Sequence, residues 1–240
     1  MNKKPSLSIV IPCYNEEQRI EKAISGALAA VECSGRVTEI IVVDDGSEDD
    51  TFRLGSELCA SDDRLLIVQR SHQGKGGAIK AGVELSRGDI IFTADADWSM
   101  PPEQIVRFIE ELDKREDVQI VISSREVDGA VRHDEPMSRH IIGRAFNMFV
   151  RAVALTGVHD SQCGFKAYRA QAAHQVFSNL KTKGWAFDVE VLARARRLGL
   201  PLSEIPIDWR YDADSRLNTI KDSLTMTYAV IKIRIDMMGN

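Results

Sequence analysis

The sequence predicts an α/β fold with a mostly parallel central sheet flanked by helices, in a Rossmann-like arrangement. Three observations support this prediction. Short β-branched segments alternate with segments of helical spacing, each β-branched segment ends at a polar motif, and 240 residues suit one domain with a substantial core. A content of 44% hydrophobic and 28% charged residues is ordinary for a folded protein.

The first half of the chain supplies the regular alternation. Apolar runs predict five strands, at residues 6–11, 39–43, 65–68, 90–93 and 119–123. Helices are expected between them: one follows residue 20, one begins near Asp49, one covers residues 74–86, and one opens at Pro101 and Pro102. Consecutive parallel strands need right-handed crossovers, so ligands are expected at the carboxyl ends of the strands.

The alternation stops after Arg125. A long amphipathic helix is expected at residues 138–155, short strands near 165–168 and 204–209, and a last amphipathic helix as a C-terminal extension. We therefore divide the chain into two halves of a single domain, residues 1–125 and 126–212, followed by a C-terminal loop and helix, residues 213–240.

Charge and cysteine usage exclude several classes of protein. A net charge of −5 argues against a general nucleic-acid binder, which needs a basic face. The four cysteines are widely spaced and form no C-x-x-C pair, which indicates neither a zinc site nor a redox site. No run of about 18 apolar residues occurs and no signal segment is evident, so we expect a cytoplasmic protein that does not span a membrane.

An acidic motif follows the fourth predicted strand. Side chains two apart in a strand share a face, so Asp95 and Asp97 would aim both carboxylates at one point, where a divalent cation could bind a diphosphate. An isolated D-x-D is more often a solvated turn or a helix cap. A second acidic pair, Asp44 and Asp45, ends another strand of the same sheet and favours the metal site.

Glycine-rich phosphate loops do not explain the chain. The first strand is followed by Pro-Cys-Tyr-Asn-Glu-Glu where a dinucleotide fingerprint would stand, and Gly74-Lys75-Gly76-Gly77 misses the P-loop pattern. Lys75 opens a predicted helix, where anions are attracted, although a solvated surface lysine is an equal alternative.

Four motifs in this order resemble the family 2 glycosyltransferases of the GT-A fold. They are Ile9-Val10-Ile11-Pro12-x-Tyr14-Asn15-Glu16, Val43-Asp44-Asp45-Gly46-Ser47, Gly74-Lys75-Gly76-Gly77-Ala78 and Asp95-Ala96-Asp97. Within that family the chain is most similar to the dolichyl-phosphate glucose and mannose synthases. The segment from Asp160 to Lys166 and the Gly-Lys-Gly-Gly loop resemble the dolichyl-phosphate beta-glucosyltransferase branch.

The resemblance implies a donor site and its metal. Asp95 and Asp97 would hold Mg²⁺ or Mn²⁺, with Asp97 acting in catalysis and Asp45 reading the base. Where the mannose synthases have a metal-binding Gln this chain has Ser99, which leaves a third protein ligand open. The implied donor-binding residues are Pro12, Tyr14, Glu16, Asp44, Asp45, Lys75, Asp95, Ala96 and, in a late loop after Ser215, Arg216.

The acceptor side is expected in the second half. Arg125 would bind either phosphate group, with an exposed salt bridge as the alternative, and Lys166 would contact the acceptor phosphate. With Asp97, both are the implied catalytic residues. Arg139 and Arg144, on the predicted helix 138–155, and Gln162 complete the implied acceptor site. That basic amphipathic helix would lie on a lipid surface, or else be an ordinary packing helix.

The expected activity is inverting transfer of a hexose, glucose from UDP-glucose, to a polyprenyl or dolichyl phosphate. The implied partners are a nucleotide-diphosphate sugar, the polyprenyl phosphate and a membrane surface bound peripherally on its cytoplasmic face; a homo-oligomer is left open. Two alternatives remain: a family 2 transferase acting on a soluble or polysaccharide hydroxyl, and a sugar-nucleotide-binding protein without turnover.

Overall fold

The computed structural model describes residues 4–212 and 219–238. A seven-stranded sheet forms the centre, and a two-stranded sheet lies beside it. The strands are β1 Leu7–Cys13, β2 Thr38–Asp44, β3 Leu65–Gln69, β4 Ile90–Thr93, β5 Ile120–Ser124, β6 Val131–His133, β7 Lys166–Arg169, β8 Leu202–Pro206 and β9 Asp208–Arg210. The central order is β3-β2-β1-β4-β7-β5-β8, and β6 pairs with β9.

Eight α-helices connect these strands in the described residues. They are α1 Ile20–Ser34, α2 Thr51–Cys59, α3 Lys75–Leu85, α4 Ile105–Lys114, α5 Met137–Val153, α6 Ala170–Phe177, α7 Phe187–Arg197 and α8 Thr219–Met238. A 3₁₀ turn, Pro102–Gln104, leads into α4. Within residues 4–212 and 219–238, no helix combines the length and the apolar character needed to cross a membrane.

The sheet separates two hydrophobic layers. In β1, Leu7, Ile9 and Ile11 face the layer of α1, α2 and α4, while Val10 faces the layer of α3 and the C-terminal helices α5 to α8. This alternation follows from the period of two in a strand. All these strands are parallel to their neighbours except β7, which is antiparallel to both β4 and β5. The mostly parallel α/β sheet expected from the sequence is confirmed.

Two details differ from the sequence prediction. The single strand expected at 204–209 is two strands, because β8 pairs with β5 in the main sheet and β9 pairs with β6 in the small one. Helix α6 and strand β6 were not predicted, since both are short and β6 is largely exposed. For function, the important feature of the sheet is that β1, β2, β4 and β5 run in the same direction and end at the same edge.

Candidate functional site

A cleft of about 1000 Å³ lies at that edge. Its walls come from the ends of the parallel strands, from the inner face of α5 and from the segment before α7. Most residues expected at the site line it: Pro12, Tyr14, Glu16, Asp45, Lys75, Asp95, Ala96, Asp97, Arg125, Arg139 and Gln162. Asp44, Arg144 and Lys166 are not among the lining residues, and Arg216, with Ser215, lies outside the described residues.

The acidic motif stands on a turn directly after β4, rather than within the strand itself. Trp98 has a φ of 43° and donates its indole N–H to the Ala23 carbonyl at 2.8 Å, which ties the turn to α1. Ser99, whose backbone N–H donates to Asp97 at 3.0 Å, also lines the cleft. The carboxylates of Asp95 and Asp97 are therefore positioned by a turn that is anchored to α1. The alternation of side chains along a strand, on which the sequence prediction was based, does not align them.

Lys75 neutralises part of this acidic charge. Its Nζ lies 2.5 Å from Asp95 and 5.2 Å from the centroid of the Trp185 ring. Burial opposes the charged form, but Asp95, Asp188 and Asp97 raise the pKa of Lys75 overall. Lys75 is therefore a charged lysine within the cleft and not a solvated surface residue.

Asp97 is a carboxylate whose surroundings disfavour its charge. Burial, followed by repulsion from Asp95, raises the pKa of Asp97. Among residues 4–212 and 219–238, no group of three or more His, Cys, Asp or Glu side chains could hold a metal ion. Two adjacent carboxylates do fit Mg²⁺ or Mn²⁺ when a diphosphate and water supply the other ligands, which is how Mg²⁺ commonly binds in phosphate sites.

The glycines around Lys75 permit a close backbone contact. The Lys183 carbonyl accepts hydrogen bonds from the N–H groups of Gly76 at 2.7 Å and Gly77 at 3.4 Å. A Cβ at Gly76 would lie 2.5 Å from the Phe187 Cβ, so a larger residue would push the segment away. Because these first amides of α3 already have a partner, an anion here would be bound by the Lys75 side chain more than by the helix terminus.

The buried carboxylate of Glu190 fixes the segment that contains Lys183. Glu190 accepts hydrogen bonds from the backbone N–H groups of Lys181 at 2.9 Å and Thr182 at 2.7 Å. This fixes the segment that carries the Lys183 carbonyl and Trp185. The position of Lys75 therefore depends on α7 as well as on α3.

Asp45 and Asp44 have different surroundings. Asp45 lines the cleft and accepts hydrogen bonds from the N–H groups of Gln73 at 2.9 Å and Gly74 at 2.7 Å. Asp44 is fully buried and accepts bonds from Ser47 and from Gln69. The expected donor contact of Asp44 is therefore corrected to a structural role, because its carboxylate is used in holding the turn after β2.

An aromatic pair and a cluster of ion pairs also line the cleft. The rings of Tyr14 and His72 lie 4.2 Å apart between centroids at an angle of 32°. Arg19 pairs with Glu16 at 2.6 Å and with Asp212 at 3.5 Å. Sequence reasoning missed His72, Arg19 and Asp212, since none belongs to a recognisable motif.

Arg125 is partly buried and paired with a carboxylate. Its guanidinium makes two hydrogen bonds to Asp160, at 2.7 and 3.0 Å, and lies 5.2 Å from the Trp209 ring centroid. Burial would raise the pKa of Asp160, but Arg125 holds it at about 2. The expected phosphate-binding cation is thus already neutralised, although it still lines the cleft.

The position of Lys166 requires a correction. The side chain is fully buried, and its Nζ donates to the Cys163 carbonyl and, at 2.6 Å, to Asp188. A direct contact between Lys166 and an acceptor phosphate is incompatible with this arrangement, because the ammonium does not reach the cleft. Asp188 does line the cleft, so Lys166 acts on the site through that carboxylate.

The inner face of α5 lines one end of the cleft with residues at helical spacing: Arg139, Ile142, Gly143, Phe146 and Asn147. Arg139 lies 4.9 Å from the Tyr211 ring centroid. Arg144 does not line the cleft; its side chain is 66% exposed and lies 3.6 Å from Glu126, which does, so its expected contact with an acceptor stays a prediction.

Asn147 is a polar residue on the inner face of α5, next to Phe146 and one turn beyond Gly143. Its residue surface is 7% exposed, and its Oδ1 has no hydrogen-bond partner among the residues that the structure describes. A buried carbonyl oxygen without a donor is costly, which points to a donor supplied by a bound molecule. The sequence offered no signal for it beyond an Asn within an apolar helix face.

A family model and the curated relatives both identify the chain as a glycosyltransferase. The family described as Glycosyl transferase family 2 matches residues 8–177. The chain is 32% identical over 240 residues to the dolichyl-phosphate beta-glucosyltransferase of Dictyostelium discoideum, covering 95% of this chain and 73% of that protein. It is 34% identical over 247 residues to the human protein of the same name, covering 95% and 75%.

Solved structures show the same fold. Glucosyl-3-phosphoglycerate synthase from Mycobacterium tuberculosis, in complex with Mn²⁺, UDP-glucose and phosphoglyceric acid, matches with a TM-score of 0.72 at 21% identity, over 98% of this chain and 80% of that one. At this level of identity the match establishes the architecture, while the ligands belong to that protein.

Proposed function

We propose, because this chain belongs to glycosyl transferase family 2, that it transfers glucose from UDP-glucose to a polyprenyl phosphate such as dolichyl phosphate. Membership of the family confirms the resemblance drawn from the four sequence motifs, and with it the glycosyltransferase activity. The donor, the acceptor and the metal are the parts that we propose.

The observation that carries the proposal is the pair Asp95 and Asp97 beside Lys75 in one cleft. The two carboxylates would hold Mg²⁺ or Mn²⁺, which would neutralise charge on the leaving diphosphate. With a cation held by Asp95 and Asp97, Lys75 would be able to bind a phosphate oxygen of the donor in place of Asp95. Charge-assisted bonds of this kind are shorter and stronger than neutral ones.

An acceptor phosphate needs positioning more than it needs a base. A phosphate oxygen is already ionised near neutral pH, so no side chain has to remove a proton before it attacks the sugar. Asp188 lines the cleft but is held by Lys166 at 2.6 Å, and we assign it to orienting the site. Attack from the face opposite the diphosphate gives inversion in a single displacement.

Helix α5 supports a lipid acceptor. It contains three arginines, Arg139, Arg144 and Arg151, and no acidic residue. Its outer face exposes Met137, Ile141 and Met148, and α8, which packs against it, exposes Tyr228, Ile231 and Ile235. A basic, apolar surface beside the cleft suits an anionic membrane, so we propose peripheral binding on the cytoplasmic face.

The test is transfer of radiolabelled sugar from a panel of nucleotide sugars into solvent-extractable lipid. We expect label from UDP-glucose to enter polyprenyl phosphate only when Mg²⁺ or Mn²⁺ is added, and Asp97→Asn to abolish it. Label appearing in a water-soluble or polysaccharide product would favour a hydroxyl acceptor instead. Donor binding without transfer or hydrolysis would indicate a binding protein and contradict the proposal.

A further inference from the structure

Trp185 lies between α6 and α7, and it lines the cleft. The residue is 38% exposed, and the Nζ of Lys75 lies 5.2 Å from the centroid of its ring. An ammonium group within about 6 Å of an aromatic face is attracted by the quadrupole of the ring, and Trp is the strongest aromatic partner for it. Lys75 therefore contacts the carboxylate of Asp95 at 2.5 Å and, in addition, the ring of Trp185.

The backbone that carries this ring is fixed to the start of α3. The Lys183 carbonyl, two residues before Trp185, accepts a hydrogen bond from the Gly76 N–H at 2.7 Å. Glu190 holds residues 181–182 through their backbone N–H groups, at 2.9 and 2.7 Å. Main-chain hydrogen bonds therefore hold the ring beside the first turn of α3 before any ligand binds.

The two contacts of Lys75 differ in what they leave for a ligand. Asp95 neutralises the ammonium group and is also one of the two carboxylates that would hold a divalent cation, so the ion pair and the cation compete for it. The ring of Trp185 has no net charge. A cation–π contact leaves the positive charge in place and leaves N–H groups of the ammonium to donate to oxygen atoms. The ring can therefore hold Lys75 in the cleft while a phosphate uses its charge.

We propose that Trp185 is a positioning residue for the phosphates of the donor: it acts through Lys75, whose ammonium group it keeps in the cleft when a cation engages Asp95. The inference rests on the proposed function, because it requires a donor with a diphosphate. Trp185 belongs to none of the four sequence motifs. In this role the aromatic face is essential, and an aliphatic side chain would fill the space without holding the cation.

Calorimetric binding of inorganic pyrophosphate with Mg²⁺ tests the assignment, because this probe carries the phosphates without the base or the sugar. We expect Trp185→Leu to weaken binding about tenfold, within the range for a partly desolvated cation–π contact. Trp185→Phe keeps a weaker aromatic face and should lose about threefold. The matched control is Phe52→Leu, which changes a half-buried aromatic residue on α2, outside the cleft, and should bind pyrophosphate as the wild type does.

A double-mutant cycle shows whether Trp185 acts through Lys75. Lys75→Met should weaken pyrophosphate binding by roughly tenfold to a hundredfold, because it removes a charge-assisted hydrogen bond. If the ring acts on the ammonium group alone, adding Trp185→Leu to Lys75→Met should cost less than a further twofold. A ring that only packs the segment would cost the same factor with and without Lys75.

Four results would overturn the assignment. Wild-type pyrophosphate affinity in Trp185→Leu shows that the ring does not position Lys75. An equal cost of Trp185→Leu with and without Lys75 shows that the ring acts on the ligand or the fold directly. Equal losses in Trp185→Phe and Trp185→Leu show that the aromatic face is not used. Absence of pyrophosphate binding by the wild type defeats the proposed phosphate site as well, whereas wild-type binding with an unaffected Trp185→Leu defeats this inference alone.

Discussion

The α carbon of Gly164 lies directly against the carboxylate of Asp95. A Cβ at position 164 would meet both carboxylate oxygens of Asp95, and Thr93 donates its hydroxyl to the Gly164 carbonyl at 2.9 Å, which prevents the loop from retreating. The second half of the chain, residues 126–212, therefore sets the position of an acidic residue contributed by the first half, residues 1–125.

Gly164→Ala should consequently damage the metal site without unfolding the protein. The φ of Gly164 is not in the left-handed region, so the backbone tolerates alanine and the strain falls on Asp95. A displacement of about 1 Å in a reacting group can cost roughly 100-fold in rate. We expect a loss of that order in turnover and a higher metal requirement, measured by transfer against Mn²⁺ concentration. Wild-type kinetics in this variant would show that Asp95 is not held by the loop.

Asp97→Asn should raise the melting temperature of the metal-free protein at pH 7. Burial and Asp95 raise the pKa of Asp97, so its ionised form costs folding free energy at any pH above the ordinary carboxyl pKa. The stabilisation should be absent near pH 3, where the wild-type group is protonated in both states. Calorimetric melting at the two pH values measures it. With Mg²⁺ and UDP present, the wild type should have the higher melting temperature, since only the wild type is stabilised by binding the cation.

Lys166→Met should destabilise the fold strongly, because it leaves Asp188 buried without its counter-charge. Removing one partner of a buried ion pair typically costs about 3–5 kcal/mol. The double variant with Asp188→Asn should recover most of that loss. Urea denaturation of the two single variants and the double variant gives the coupling energy. A stable Lys166→Met variant with Asp188 intact would show that the ion pair does not hold the fold.

The Arg125–Asp160 pair should confer acid-sensitive stability. Arg125 lowers the pKa of Asp160 to about 2 from an ordinary 3.8, so the stabilisation is complete above about pH 4 and disappears as the pH falls through 2. The difference corresponds to roughly 2 kcal/mol. Comparing wild type with Asp160→Asn by denaturation from pH 5 to pH 2 isolates this contribution. If the unfolding free energies of the two proteins change with pH in parallel, Arg125 does not lower the pKa of Asp160.

Asn147→Leu should make the protein more stable and less active. Its Oδ1 lacks a hydrogen-bond partner within the described part of the chain, and replacing an unsatisfied buried polar group typically gains about 1 kcal/mol, or roughly 2–4 °C in melting temperature for a chain of this size. If the amide serves a bound substrate, transfer should fall at the same time. A variant that loses stability would indicate that Asn147 already has a partner in solution.

The sequence was informative where the signal is local. Each of the first five strands lies within two residues of its predicted bounds, because buried β-branched runs reflect their own environment. The split of 204–209 into β8 and β9 was not predictable, since it depends on two different partner strands, β5 and β6. Pairing partners are set by tertiary structure and leave no mark on periodicity.

The same limit applies to the site. Motifs indicated which residues border the cleft, but they could not show that Lys166 pairs with Asp188, 22 positions further along the chain. Arg125 and Asp160 are likewise joined only in the folded structure. Sequence patterns identify charged residues, whereas burial and partners determine whether their charge is available to a ligand.

Strand β7 lies between β4 and β5, although Lys166–Arg169 follows Ser124 along the chain. As the polypeptide leaves the ribosome, β4 and β5 emerge with facing edges whose final partner has not yet been synthesised. Unpaired edges of buried strands promote aggregation, so a nascent chain ending before Arg169 exposes two edges of this kind. Only when β7 is inserted is Gly164 brought against Asp95, so translation must proceed past this strand before any catalytic competence can arise.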